Sequence, residues 1–411
     1  MLGKNLKWFG VFLALAFLIN ATATANASAA DLIVVGTTVT LYGDHEYDNV
    51  QIINGGILYV KPYDGTAGTG TLVIDADSIV VDATSSINAD GAGYRGTENG
   101  NGEGPGGGEG GPTVMDGGGG GGYGGKGGDG WLDHWIGGPD GAGGDTYGSA
   151  TSMSILMGSA GGAAGTEDGN YGGFGGSGGG AISLVANTID IAGTITANGG
   201  DGQIYINDAS GGGAGGAILL HAGSVTGSGT LRADGGNGGT SCGLLPCDLD
   251  DGGGGGGGGR IKIFYSSGII SASVSVAGGA GSLYGQDGEE GSCYEALTVN
   301  IDIKPGSFPN SINPKAGGVI PVAILTTDDF DASTVDPATV TLEGAGAKGK
   351  GKSGNVGSME DIDGDGDLDL VVQIENTIDW AEDATEATLT GETYDGIPIQ
   401  GTDSVKIVPP N

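Results

Sequence analysis

Residues 181–200, AISLVANTIDIAGTITANGG, and residues 217–236, AILLHAGSVTGSGTLRADGG, agree at nine of twenty positions. Looser copies run over 71–91 and 260–279. Each copy alternates apolar and polar residues with a period of two, and the alternation slips twice. The inward set of the clearest copy is Ile182, Leu184, Ala186, then Ile189 and Ile191, then Ile195 and Ala197. The equivalents are Leu72, Ile74, Ala76, Ile79, Val81, Ile87 and Ala89 in one copy, and Ile218, Leu220, Ala222, Val225, Leu231 and Ala233 in another. Period two means strand, and short strands divided by breaks of one or two residues mean tight corners. One such coil cannot bury its apolar side alone, so the copies must stack. The pattern therefore predicts an all-β fold: a right-handed parallel β-helix of about 20 residues per turn.

What separates the copies is glycine. Of 95 glycines in 411 residues, 72 lie between positions 91 and 291, with unbroken runs at 117–122 and 252–259. Collagen is excluded, because glycine does not recur at every third position through the region and the chain has only 13 prolines. Three states are open to these tracts: mobile loops, turns that give a ligand access to backbone, or extended polyglycine rods packed side by side. Rods are feasible because glycine lacks a Cβ, but ordering costs about 1–2 kcal/mol per residue. Tyr123, Trp131, Trp135, Tyr147, Tyr171 and Phe174 within the first excursion favour partial order. Residues 31–70 also alternate, as LIVVGTTVTLYG and VQIINGGILYV, and are expected to form the first coils or a cap.

The first thirty residues have the form of an export leader. Lys4 and Lys7 precede an apolar run at 8–19, and small residues follow, allowing cleavage after Ala27, Ala29 or Ala30. That run is too short to span a hydrocarbon core of about 30 Å. The expected location is therefore secreted or at the cell surface, with no membrane insertion after cleavage. The formal charge of -36 argues against nucleic acid and anionic membranes as partners. Cys242 and Cys247 are close enough for a local disulfide that would leave Cys293 over, although pairing with Cys293 is equally allowed.

Glycine thins out near residue 295. The expected organisation is a leader at 1–30, amino-terminal strands or cap at 31–70, a glycine-rich β-helix at 71–294 and a β-sandwich at 295–411. Strand candidates in the sandwich are 297–303, 319–325, 339–342, 368–374, 385–389 and 404–408, with turn signals between them. Its sharpest motif is EDIDGDGDLDL at 360–370. Asp361, Asp363, Asp365, Asp367 and Asp369 alternate, and Gly366 permits a turn, so their oxygens can converge on a hard Ca²⁺ ion. Position 12 from Asp361 is Val372, where the helix-loop-helix calcium pattern has a bidentate glutamate, and LDLVVQI reads as strand. The loop thus joins β elements, and its role is expected to be structural.

The stretch VNIDIKPGSFPNSINPKAGGVIPVAILTTDDFD, with EDIDGDGDLDLVV and LTGETYDGIPIQGTDSVKIVPP, resembles a domain recurring at the ends of secreted bacterial and archaeal proteins. It covers about 115 residues. The resemblance implies a calcium-binding-type extracellular β module appended to other modules, with no catalytic role. More loosely, the glycine-rich region resembles exported adhesin-like β-helices.

Parallel β-helices also carry polysaccharide lyases and hydrolases, but fold alone does not assign chemistry. His134 lies in an Asp-His-Trp triplet with no recognisable nucleophile, and the solenoid holds few bases: Arg95, Lys126, Arg232, Arg260 and Lys262. Tyr123, Asp129, Trp131, Trp135 and Tyr147 have the chemistry to stack on sugar rings and accept hydroxyls; the same aromatics can instead form a satellite core. The expectation is a secreted structural or adhesive protein that self-associates into an oligomer, fibre or surface assembly stabilised by calcium. A glycan-binding adhesin and a polysaccharide-degrading enzyme are the alternatives.

Overall fold

The computed structural model describes residues 30–112, 116–131, 141–165, 173–205, 208–240, 252–268, 270–349 and 356–408. Its amino-terminal part is a stack of coils, each with a first-sheet strand and a shorter or equal second-sheet strand. The pairs are β1 (Leu32–Val35) and β2 (Thr38–Leu41), β3 (Gly43–Ile53) and β4 (Ile57–Val60), β5 (Thr71–Val81) and β6 (Ser86–Asn88), and β7 (Ala181–Ile191) and β8 (Thr194–Thr196). A small hairpin of β9 (Ile204–Tyr205) and β10 (Asp208–Ala209) comes next, then β11 (Ala217–Thr226) with β12 (Thr230–Arg232) and β13 (Arg260–Ser267) with β14 (Ser273–Ser275). The first sheet runs β1-β3-β5-β7-β11-β13 and the second β2-β4-β6-β8-β12-β14, all in parallel register. Residues 31–70 are thus the first two coils of the stack.

Register follows the sequence copies: Thr71 lies beside Ala181, Ala181 beside Ala217, and Ala217 beside Arg260. The first slip in the alternation is a bend inside the long strand, with pairing interrupted at Asp77 and resumed at Ser78 opposite Thr188. The second is the corner before the short strand. Every inward residue named above belongs to one continuous buried core.

Between coils the chain leaves as extended glycine rods and returns. Gly117, Gly120 and Tyr123 donate their N–H groups to Trp131, Gly128 and Gly125; Gly118 and Gly121 donate to Ala209 and Gly212; Gly119 and Gly122 donate to Glu109 and Gly106. The partner changes with a period of three. This is the signature of a polyproline-II-like helix, which has three residues per turn and no internal hydrogen bonds. The run at 252–259 repeats it: Gly254 and Gly257 donate to Gly118 and Gly121, Gly255 and Gly258 to Gln286 and Glu289, Gly256 and Gly259 to Gly236 and Ala233. A β-carbon on Gly255 would fall on the Gly279 carbonyl oxygen, and one on Gly256 on that of Gly213, so neither position admits a side chain.

Where described, the interior runs at 117–122 and 252–259 are packed rods, the third of the three states open to these tracts. The entropic cost is met because backbone groups bond across rods in the interior, while side chains complete the perimeter. Asp90 Oδ1 accepts from Asn198 N, Asn198 Oδ1 from Asp234 N, and Asp234 Oδ1 from Ala277 N. Three residues along, Asp201 accepts from Asn237 N and Asn237 from Ala280 N.

After the last rods, β15 (Ser292–Thr298) adds to β13 and ends the coil stack. The carboxyl-terminal strands are β16 (Ile301–Ile303), β17 (Ser311–Ile312), β18 (Val319–Ile324), β19 (Val335–Leu342), β20 (Ala345–Gly346), β21 (Ser358–Glu360), β22 (Asp369–Glu375), β23 (Glu386–Thr393), β24 (Pro398–Ser404) and β25 (Lys406–Ile407). Sheets β16-β18-β22-β21 and β24-β23-β19-β20 enclose a core that includes Val322, Val340, Leu342, Val372, Ile374, Leu389 and Ile399. The strand expected at 404–408 instead spans Pro398–Ser404, followed by the two-residue β25. Strand β24 also pairs in parallel with β15, Leu297 beside Ile399, so one sheet runs through both parts. The expected division at 294/295 falls inside β15, a strand the two parts share.

Candidate functional site

The acidic motif forms the connection of the β21–β22 hairpin, with Glu360 paired to Asp369 at its base. Gly364 and Gly366 take φ values of +82° and +103°, a left-handed backbone that a β-carbon would strain. Short side-chain bonds shape the loop: Asp361 Oδ1 accepts from Gly364 N at 2.8 Å, Asp363 Oδ1 from Asp365 N at 3.2 Å and Asp365 Oδ1 from Asp367 N at 3.1 Å. Asp369 is buried and fixes the loop to its neighbours, accepting from Ile362 N at 2.8 Å and Thr326 N at 2.9 Å.

Three of the five aspartates converge. One carboxylate oxygen each from Asp361, Asp363 and Asp369 lies within 4.8 Å of the others, the first two exposed and the third buried. Asp365 and Asp367 stand outside this group. Asp367 Oδ1 is buried without a hydrogen-bond partner among the described residues. The Asp365 N–H pulls the Asp363 carboxyl down, yet desolvation and the charges of Asp365 and Asp369 leave it above its ordinary value. Desolvation, and then Asp365, raise Asp367; the N–H of Asp367 lowers Asp365. An all-oxygen donor set with one ligand anchored on a strand suits a hard divalent cation. Val372 lies in the sandwich core and supplies no ligand.

The aromatic candidates divide. Tyr123 is 1% exposed, and its ring packs 4.9 Å from that of Tyr147, against Ala181 and Ala217. The Tyr147 hydroxyl donates to Met157 O at 2.5 Å and accepts from Ser159 Oγ at 2.9 Å, and burial pushes its pKa up. These two stand in a small satellite core, the second of the two roles open to the aromatics, with Tyr123 buried and Tyr147 partly buried. Trp131 is exposed and lies 4.8 Å from the exposed Tyr284 at a rod end. Asp129 accepts from Gly143 N at 2.8 Å. Trp135, His134, Cys242 and Cys247 lie outside the described residues; Cys293 is exposed on β15 and unbridged among the described residues.

A feature invisible in the sequence sits on the outer face of β13. Residues 148–157 cross this face as a strap, with Met153 and Ile155 against Leu219, Phe264 and Ala296. Lys262, 1% exposed, donates from Nζ to Ser152 O at 2.8 Å and Ser154 O at 2.7 Å. Arg260 reaches Tyr147 O at 3.0 Å and Ser292 Oγ at 2.8 Å. Desolvation, with the charge of Arg260, takes the Lys262 ammonium down to about 8. The alternation places both cations outward on β13; the strap, supplied by a distant excursion, covers Lys262, while Tyr123, Tyr147 and Ser292 enclose Arg260.

A groove of about 210 Å³ on the sandwich is lined by residues including Val335, Pro337, Met359, Leu370 and Tyr394, and no acid or base lines it. No helix among the described residues is long and apolar enough to cross a membrane. No family model, curated protein or solved structure matches the chain.

Proposed function

We propose that this is an exported structural or adhesive protein whose β-helix and rod bundle form a rigid shaft and whose sandwich is a calcium-loaded connector in a surface assembly. The observation that carries the reading is the convergence of Asp361, Asp363 and Asp369 on a hairpin in one sheet of a module whose other sheet is continuous with the shaft. An ion there would link β21 to β22 and neutralise charge in a chain of formal charge -36, lowering the repulsion between copies. The leader-like first thirty residues and the resemblance of the carboxyl-terminal segment to secreted modules support export. Extracellular calcium, near millimolar, fills even weak sites of this kind.

The test is electron microscopy of concentrated protein with calcium and after chelation, beside calorimetric titration of Ca²⁺ into the wild type and the Asp361→Asn/Asp363→Asn double variant. Calcium-dependent assemblies and at least a tenfold loss of affinity in the variant are expected. Assemblies unchanged in chelator would remove the ion's role, and a monodisperse monomer with calcium would remove the assembly. The exposed Trp131–Tyr284 pair favours a second reading, a glycan-binding adhesin, which a glycan array tests through the Trp131→Ala variant.

A further inference from the structure

The two ends of the coil stack are unequal. At the carboxyl-terminal end, β15 is extended by β24 and its sandwich. At the other end β1 pairs only with β3, leaving one backbone edge of the first sheet unpartnered among the described residues. Strand β1 reads LIVV, with no charge, proline or register break to discourage pairing. It is also apolar on both faces. Val34 points into the core with Leu32 beside it, while Ile33 and Val35 point outward and are 54% and 48% exposed. Beside them on this face stand Gln51 and Ile53 of β3, and the acids Asp44, Glu46 and Asp75 lie farther along, before the bend in the long strands. An uncharged apolar edge strand of this kind is a template for pairing with another strand.

We infer that β1 is the contact between two copies of this chain, joined edge to edge about a two-fold axis. This deepens the assembly reading above and rests on it. On the proposed export reading, cleavage after residues 27–30 would leave at most four residues before β1, too few to fold back along its edge, and a second copy of β1 is then the strand proposed to pair there. A two-fold perpendicular to the sheet makes the junction antiparallel and keeps outer faces together. A register centred on Val34 sets Ile33 opposite the second copy's Val35, twice by symmetry, and closes the core end against itself. Such aliphatic cross-strand pairs stabilise a sheet. The contact is isologous and closes at two copies, directing both calcium modules outward.

The test uses the processed full chain, its amino terminus confirmed by mass spectrometry, in chelator and in salt of about 0.15 M, where exposed charges are screened beyond about 8 Å. Light scattering should find a dimer. The Ile33→Lys/Val35→Lys variant should raise its dissociation constant by at least about 100-fold while remaining folded. Hydrogen exchange at β1 amides in the wild type should quicken on dilution to monomer, a readout independent of any variant. A monomer at all concentrations, a dimer indifferent to both substitutions, or β1 exchange independent of concentration would overturn the proposal. Because the backbone junction needs no ion, a dimer persisting in chelator while larger assemblies dissolve supports both readings; larger assemblies that form while β1 stays open refute only this one.

Discussion

The coil stack and the rod bundle are built from one chain by opposite means. In the coils, side chains do the packing: Ile182, Leu184, Ile218 and Leu220 fill a core between two sheets, and backbone bonds run along one direction only, from coil to coil. In the bundle there is almost no side chain to pack. Each interior rod instead directs successive N–H groups to three different neighbours, and the absence of β-carbons lets carbonyls approach where side chains would stand. Coils are held by apolar burial with hydrogen bonds as a condition; rods are held by hydrogen bonds and close contact, with glycine as the condition. Volume errors therefore have opposite signs in the two halves. The coils are sensitive to losing a methyl group, and the bundle to gaining one.

The largest effect should come from adding one carbon to the bundle. Gly256→Ala places its methyl on the backbone oxygen of Gly213, which cannot rotate away, so a rod must move and its bonds to Gly236 and Gly279 suffer. A loss of about 3 kcal/mol is expected, the upper range for overpacking. Removing one carbon from the coils, Ile182→Val, should cost only about 0.5–1.5 kcal/mol. Thermal unfolding followed by calorimetry compares them; equal costs would erase the distinction between the halves.

How much of this was legible differs between the halves for the same reason. The coils announce themselves because alternation is written in side chains, and the copies at 71, 181, 217 and 260 stack in the register their alignment implies. Interior rods have no side chains to carry a pattern, so 252–259 reads equally as linker or lattice. The signal survives only at the perimeter. Lys126 and Asp129 interrupt GGKGGDG at the one position per turn that faces outward, and Gly285, Gly288 and Gly291 recur between exposed polar pairs. Period three, rejected as a global repeat, is present locally in tracts of two or three turns. At the acidic loop, sequence supplied the ligand type but not the selection: Asp369 joins Asp361 and Asp363 because β22 carries it to the hairpin base, while Asp365 turns to the N–H of Asp367.

Where coils and bundle meet, the strap should report on pH. The Lys262 pKa is lowered to about 8 in the fold against 10.5 when free, so the unfolded chain binds more protons between those values. Stability should rise as pH increases from about 8 towards 10, by on the order of 1–3 kcal/mol from this group. Above about 10 the tyrosines oppose it, since burial raises Tyr123 and Tyr147 and their contribution fades as the unfolded chain ionises. Lys262→Met, which fills the same space without the charge, should flatten the rise. A slope unchanged in that variant would place the titrating group elsewhere.

The smallest expected effect sharpens the comparison most cheaply. Gly317 lies in the sandwich with nothing within 4 Å of where a β-carbon would sit, and its backbone is not left-handed. Gly317→Ala should leave the fold intact and, by narrowing the unfolded ensemble, raise stability by about 0.4–1 kcal/mol. The same substitution at Gly256 is expected to act in the opposite direction and more strongly. Its cost there comes from the neighbouring rod, since the intrinsic preference of the chain for alanine over glycine is common to both sites. If both variants shifted stability alike, glycine in the bundle would be serving chain flexibility, and the inter-rod contacts would not be what holds these tracts together.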